Sequence, residues 1–429
     1  YICCSPYSFR SITMPSFWSI VIATVVAVLS VLFALLQASM GELPFDPPAH
    51  MLDLEDAANT PKSLHDGSKY NFGRFSSPVF DPNLRDMNLF ERTFQRKEWS
   101  FNAVSDGRWL IGFATADLGY VETGFIYFFD TRFGAHDTWQ FLLPGFVNGA
   151  KVASSDVQDN TCSKFSTYFS ALYVEVCYRA DMNGWRVDAR AKTKLNYKLA
   201  LQVDMVRSGG AELALNYPIG PERAGYTHKT AGLAVNGTLT FLPSRRAPAQ
   251  HRGAKSQINE PFEGTGLTDY TRSQSRRFTE WFWIALTFSS KLPGSDKTAR
   301  HGLQFSTDTV GSLESVVWVD GQMYEVNSPL TISFVNTTSN ETMALQPGQR
   351  ELVPAPHSKY LITSADGAVA LEYIPHGVLP TAMKTPLVYG GFYHSYGLYR
   401  GKVSVSEDGP VLRLSKPVAG IFEDHSVHW

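Results

Sequence analysis

The sequence predicts an all-β protein built of antiparallel sheets, and three observations carry that expectation. Apolar and polar side chains alternate along several runs, tight-turn dipeptides recur between them, and aromatic residues make up 13% of the chain against 18% charged. Leu195, Tyr197, Leu199, Leu201, Val203 and Met205 take every second position, with Asn196, Lys198, Gln202 and Asp204 between them. A period of two puts one set on a buried face and the other in water. Trp185, Val187 and Ala189 alternate with Arg186, Asp188 and Arg190 in the same way. Asp106-Gly107, Asn183-Gly184, Asn236-Gly237, Asp320-Gly321, Asp366-Gly367 and Asp408-Gly409 sit between such runs. These dipeptides supply the positive φ angles of tight hairpins. Hairpins at that density imply antiparallel meanders rather than a parallel α/β sheet.

A chain of 429 residues, 44% hydrophobic, can bury a large core as two domains or one big one. The formal charge of -2 offers no global attraction to nucleic acid, so no such partner is expected.

Residues 17–36 read FWSIVIATVVAVLSVLFALL, without a charge. About 20 such residues suffice for an α-helix to cross a hydrocarbon core. Arg10 before the run and Glu42 and Asp46 after it favour the N-terminus inside and the rest outside. The competing reading is a signal peptide starting at Met14 and cleaved near residues 38–41. Both place the bulk of the chain in a lumen or outside the cell, as a single-pass membrane protein or a secreted one. The expected division is a tail at 1–16, the transmembrane segment at 17–38, an extended lead-in at 39–75, a first β domain at 76–242, a polar, basic linker at 243–261 and a second β domain at 262–429.

Export fits two further features. Asn236, Asn336 and Asn340 each head a glycosylation acceptor triplet. Cys162 and Cys177 are the two cysteines beyond the apolar run, and in an oxidising compartment they either form one disulfide or remain two buried thiols.

One stretch, GTGLTDYTRSQSRRFTEWFWIA, holds Asp269, Tyr270, Arg272, Arg277, Thr279, Trp281 and Trp283. Upstream lie Arg74-Phe75-Ser76-Ser77-Pro78-Val79, Arg96-Lys97-Glu98-Trp99 and Tyr226-Thr227-His228-Lys229. The chain ends on Gly420-Ile421-Phe422-Glu423-Asp424-His425 and Trp429. In this order the motifs resemble the domain of unknown function 2804 family over roughly residues 70–429. The resemblance implies a large β fold: two lipocalin-like (calycin-like) β-barrels or sandwiches packed together, similar to the carotenoid hydratase and tocopherol cyclase group.

Asp269, Tyr270 and Arg272 follow two glycines and precede two arginines, which suits either an acid/base cluster at a barrel mouth or an ion-pair network fixing the turn. Glu423 and His425 are two apart and share a strand face, where a carboxylate and an imidazole can relay protons. No third ligand is spaced to complete a metal site, and no phosphate loop, GxSxG or HExxH is present, so no metal or cofactor is expected. Trp281 and Trp283 share a face and either line an apolar pocket or serve as core, as do Phe125, Tyr127 and Phe129. His228 and Lys229 read as turn or strand-edge residues.

The function expected from these features is binding or transformation of a lipophilic small molecule by a membrane-anchored lumenal or extracellular protein. If it is an enzyme, proton-driven hydration, cyclisation or isomerisation is expected. The alternatives are a glycan-binding or carbohydrate-active β domain, with tryptophans facing an open groove, and a non-catalytic scaffold.

Overall fold

The computed structural model describes residues 17–39, 51, 53–167, 171–192, 198–220, 222–242, 258–291, 296–307, 310–350, 352, 358–384, 389–405 and 409–429. Contacts divide the chain into residues 1–41 and residues 42–429.

In the first unit a helix runs over Phe17–Ser39. Side chains are described over its residues 21–35, and Ile22, Val25, Val28 and Val31 are exposed. Among the described residues no helix is long and apolar enough to cross a membrane.

The second unit holds two sheets. The path of the first runs Ala135–Pro144, Val121–Asp130, Trp109–Asp117, Arg96–Ser105, Ile258–Gln274, Arg223–Leu242, Lys198–Val206, Gly184–Lys192, Leu172–Arg179, Cys162–Ser166 and Ala150–Lys151. Leu213–Gly220 pairs with Arg223–Leu242 and with Gly73–Phe75, so the expected lead-in donates a strand. The second sheet runs Gln322–Glu325, Val316–Val319, Thr298–Ser306, Phe278–Lys291, Val411–His428, Tyr389–Ser404, Val369–Lys384, Ser358–Ser364, Leu330–Asn336 and Thr342–Ala344. Every strand pairing is antiparallel except that of Leu54–Glu55 with Gly73–Phe75.

Each sheet curls around its own apolar core. Ile111, Phe113 and Phe128 near one end of the first sheet share a cluster with Phe165, Val187 and Leu201 near the other. Phe305 and Val317 meet Phe334, Ile362 and Tyr373 likewise. The outer strands behave as the alternation requires, with Gly184–Lys192 and Lys198–Val206 buried at every second residue. The middle strands do not. Arg96–Ser105 and Trp109–Asp117 are buried on nearly every residue, because one face covers the sheet's own core and the other meets the second sheet. Strands covered on both faces read as continuous apolar runs, as WLIGFATA and WFWIAL do.

Several turns sit where expected: Asp106-Gly107, Asn183-Gly184, Asp320-Gly321 and Asp366-Gly367 all join neighbouring antiparallel strands. Asn236-Gly237 does not turn. It lies inside the twenty-residue strand Arg223–Leu242, paired with Asp204 and Glu263 on either side. Asn-Gly is tolerated there because Gly237 must let Gln202 O approach, a position where a Cβ would sit 2.1 Å from that atom. Residues 195–197, 243–257 and Asp408 fall outside the described residues. The passage between the sheets lies at residues 275–277 rather than at 243–261, since Ile258–Gln274 pairs on both edges within the first sheet. Cys162 and Cys177 stand directly opposite on neighbouring strands and are joined by a disulfide. Asn236 is exposed on its strand, Asn340 is exposed with φ 61°, and Asn336 ends the strand Leu330–Asn336, accepting from Thr338 N and Ser339 N.

His228, expected at a turn or edge, is fully buried in mid-strand. Its Nδ1 lies 2.5 Å from Asp156 Oδ2 and its Nε2 2.9 Å from Glu212 Oε2. Burial disfavours the imidazolium, but Asp156 and Glu212 outweigh it and hold the pKa up at about 9. A pKa raised on folding gives stability that is full below about 6.5 and lost as pH rises through 9. Urea unfolding should therefore show the wild type losing on the order of 3 kcal/mol between pH 6 and pH 10 through this group. A His228→Phe variant should lack that slope, and parallel curves would refute the ion triad.

Candidate functional site

The two sheets pack back to back through a dry layer of Ala103, Leu267, Ala231, Ala285 and Ile421. Small residues let them approach: a Cβ on Gly302 would lie 2.3 Å from that of Ala231. A bulge between Ala231 and Leu233, with Gly232 at φ +73°, turns Ala231 toward the second sheet and Leu233 toward the first core. Gln304 Nε2 crosses the layer to donate to Thr230 O at 3.1 Å and Thr268 O at 2.9 Å. Trp318 Nε1 donates across it to Ala211 O at 2.9 Å.

At one end of this layer the sheets part and leave a cleft of about 160 Å³. Trp99, Phe101 and Phe125 line it from the first sheet, and Trp281, Trp283 and Phe392 from the second. Phe101 and Trp283 meet nearly at right angles, 5.3 Å between ring centres, and Trp99 stacks on Trp281 at 6.2 Å.

One wall carries a buried cation. Lys229 Nζ lies 3.1 Å from Asp269 Oδ2, 3.2 Å from Glu314 Oε2 and 5.4 Å from the centre of the Trp283 ring. Thr227 and Thr271 hydroxyls each approach Asp269 Oδ1 at 3.4 Å. Burial lowers the lysine pKa, but the carboxylates of Asp269 and Glu314 outweigh it and raise the value, so the ammonium stays charged. Burial raises the pKa of Glu314.

The facing wall carries Glu423 and His425. Trp281 Nε1 donates to Glu423 Oε1 at 2.7 Å, and Glu423 Oε2 lies 3.0 Å from His394 Nδ1. His394 Nε2 is 3.2 Å from Tyr127 Oη, which ties the carboxylate to the first sheet. The His425 ring lies flat on Trp281, 3.6 Å between centres and 2° between planes. Its Nε2 is 2.9 Å from Thr279 Oγ1, which also accepts from Trp429 Nε1 at 2.7 Å. Burial drives the His425 pKa down to about 3, so the imidazole is neutral at physiological pH. Asp424 points the other way and accepts from Gly348 N at 2.6 Å; burial pushes its carboxyl up to about 7.

A family model described as a domain of unknown function, DUF2804, matches residues 55–429. The chain belongs to the DUF2804 family. Among solved structures this DUF2804 chain is similar to an AttH-like protein of Nitrosomonas europaea, at 10% identity over 81% of this chain and 98% of that one, with a TM-score of 0.33. It is also similar to kievitone hydratase of Nectria haematococca, at 11% identity over 81% and 94%, with a TM-score of 0.33. No curated protein sequence matches it.

Of the residues singled out in the sequence, Asp269, Trp281, Trp283, Glu423 and His425 line the cleft of this DUF2804 protein together. Tyr270 and Arg272 do not, because strand alternation turns them to the opposite face from Asp269. Tyr270 donates to Ala153 O at 2.8 Å, and Arg272 is held by Glu98 at 2.7 Å and Ser154 O at 2.7 Å. Asp269 is paired with a lysine rather than an arginine. Phe125 lines the cleft, while Tyr127 and Phe129 belong to the dry layer. Among the described residues no group of three or more His, Cys, Asp or Glu could hold a metal.

Removing one member of a buried ion cluster leaves the rest uncompensated. Lys229→Met should therefore cost about 3–5 kcal/mol of unfolding free energy at pH 7. A loss within about 0.5 kcal/mol, the range of an ordinary surface substitution, would show that the cluster is solvated.

Proposed function

We propose that this DUF2804 protein binds a lipophilic small molecule in the cleft between its two sheets. One observation carries the reading: the space within each curled sheet is filled by aromatic and branched side chains, whereas the space between the sheets is lined by aromatic rings. Each half is then a lipocalin-like barrel with a solid interior, and the cavity belongs to the pair. A flat apolar molecule fits such walls, since ring-on-ring contacts add to area burial. Trp283 is buried and Trp281 half-buried against His425, a setting that does not suit an open glycan groove.

Proton transfer is the chemistry the walls support, with Glu423 and Asp269 as the acid–base candidates for hydration or isomerisation of the bound molecule and His425, kept neutral by burial, packed against Trp281. Tyr270 and Arg272 serve to hold strands in this reading. The uncharged run 17–36, the acceptor asparagines and the disulfide support a protein held at, or exported across, a membrane with its β unit on the non-cytosolic side.

The test is native mass spectrometry, with solvent extraction, of the full chain made in a secretory host. A lipophilic passenger should be present at one per chain. Ala116→Phe, which puts a ring into the cleft, should abolish it while leaving the unfolding transition within about 1–3 kcal/mol of wild type. A passenger-free wild type that stays so after incubation with lipids and isoprenoids, or a passenger unaffected by Ala116→Phe, would contradict the reading.

A further inference from the structure

Exposed apolar side chains gather at one end of the second unit. Phe146, 83% exposed, and Leu89, 75% exposed, are the two most exposed large apolar residues described there. Leu142 and Tyr389 are 49% and 43% exposed.

Three segments bring them together. The helix Leu89–Phe94 starts on a capping box at Asn88, and the stacked rings of Phe90, Phe94 and Tyr120 carry it to the turn after Trp109–Asp117. In that turn Gly119, at φ +83°, lies so near the helix end that a Cβ would meet Thr93 O at 2.2 Å. Gly145, just past Ala135–Pro144, is as close on the other side. A Cβ there would meet Gly119 O at 1.9 Å, and its N–H donates to Tyr120 O at 2.9 Å. Backbone abuts backbone, so the helix and the two loops are fixed against one another. Tyr120 packs with Val427 and Trp429 of the second sheet, and the neighbouring His428 stacks on Tyr389 with 4.2 Å between ring centres.

This rim is continuous with the cleft. Leu118 and Val121, on either side of the Gly119 turn, line the cleft, as do Val427 and Trp429. Leu142 belongs to both, since it lines the cleft and is half exposed. The charges here do not oppose an apolar contact. Residues 141–149 read FLLPGFVNG, without a charge. Glu91 is paired with Arg85 and Asp117 with Arg96, while Glu122 is buried and accepts from Asn148 N, Gly149 N and Ala150 N. Asp86, Arg92 and Lys151 are exposed, one acid against two bases.

We propose that this rim docks on a lipid bilayer, with Leu89, Leu142, Phe146 and Tyr389 at the boundary of headgroups and acyl chains. A protein partner needs a matched shape, whereas a bilayer accepts any apolar side chain that reaches it. An apolar passage from lipid into the cleft also suits a ligand that avoids water. The uncharged run 17–36, held in a membrane as proposed above, makes the encounter intramolecular. The docking goes beyond the cleft reading and is tested without a ligand, so either can fail alone.

The test uses the full chain with Cys3→Ser and Cys4→Ser, reconstituted in phosphatidylcholine vesicles. A nitrobenzoxadiazole label is placed at Leu89→Cys, Phe146→Cys or Val411→Cys in turn. Val411 is exposed and begins the strand whose far end carries Val427. The labels at 89 and 146 should shift their emission to the blue and be quenched by doxyl groups on the acyl chains, and the label at 411 should do neither. Leu89→Ser with Tyr389→Ser should release the label at 146, each lost side chain weakening docking about tenfold. Leu89→Ile with Tyr389→Phe should keep it docked. The unfolding midpoint should stay put in both pairs, since the substituted side chains are exposed. Rim labels that remain in water, equal quenching at all three positions, or quenching that survives the double serine variant would each overturn the proposal.

Discussion

The rest of this structure depends on how closely the two sheets can approach. Ala103, Ala231, Ala285 and Gly302 bring the sheets close within the layer between them, and the carboxamide of Gln304 reaches from one sheet to the backbone of the other. That contact buries the middle strands on both faces and so determines which residues lose contact with water. It also fixes where a gap remains. Trp99, Phe101, Trp281 and Trp283 line that gap. A bulge at Gly232 keeps Ala231 in the layer while Lys229 stays on the cleft wall of the same strand.

Electrostatics then divides the cleft into two unlike walls. Burial alone would neutralise Lys229, yet two carboxylates keep it charged; burial alone acts on His425, and nothing opposes it. The result is a permanent cation, already paired, facing a permanent neutral imidazole. The paired cation has little left to offer a ligand. The Tyr127, His394 and Glu423 chain links the two sheets, since Tyr127 comes from the first and the other two from the second.

Much of the fold was legible in the sequence, and the losses have physical causes. Period-two alternation located Trp185 to Arg190 and Leu199 to Met205 because those strands have one wet face. Asp-Gly and Asn-Gly marked four hairpins, and misled at Asn236-Gly237, where the glycine serves close backbone approach instead of a turn. Spacing also placed Glu423 and His425 on one face, whereas it left Cys162 and Cys177 open between a disulfide and two thiols, and only strand register joins them. What spacing cannot convey is register between strands far apart in the chain. Lys229 meets Asp269 forty residues on and Glu314 beyond that, so nothing local distinguished Lys229 from an edge residue. Asp269 and Tyr270, adjacent in sequence, were grouped as one cluster, and the strand sends them to opposite faces.

The central claim is that the apolar site lies between the sheets and not inside either of them. Photolabelling with benzophenone, followed by peptide mapping, tests it directly, because the excited ketone inserts into whatever C–H bonds surround it. The account predicts adducts on Arg96–Ser105, Phe278–Lys291 and Val411–His428, suppressed by Ala116→Phe. Adducts confined to Gly184–Lys192 or Ser358–Ser364, strands away from the cleft, would place the cavity within a barrel and contradict it.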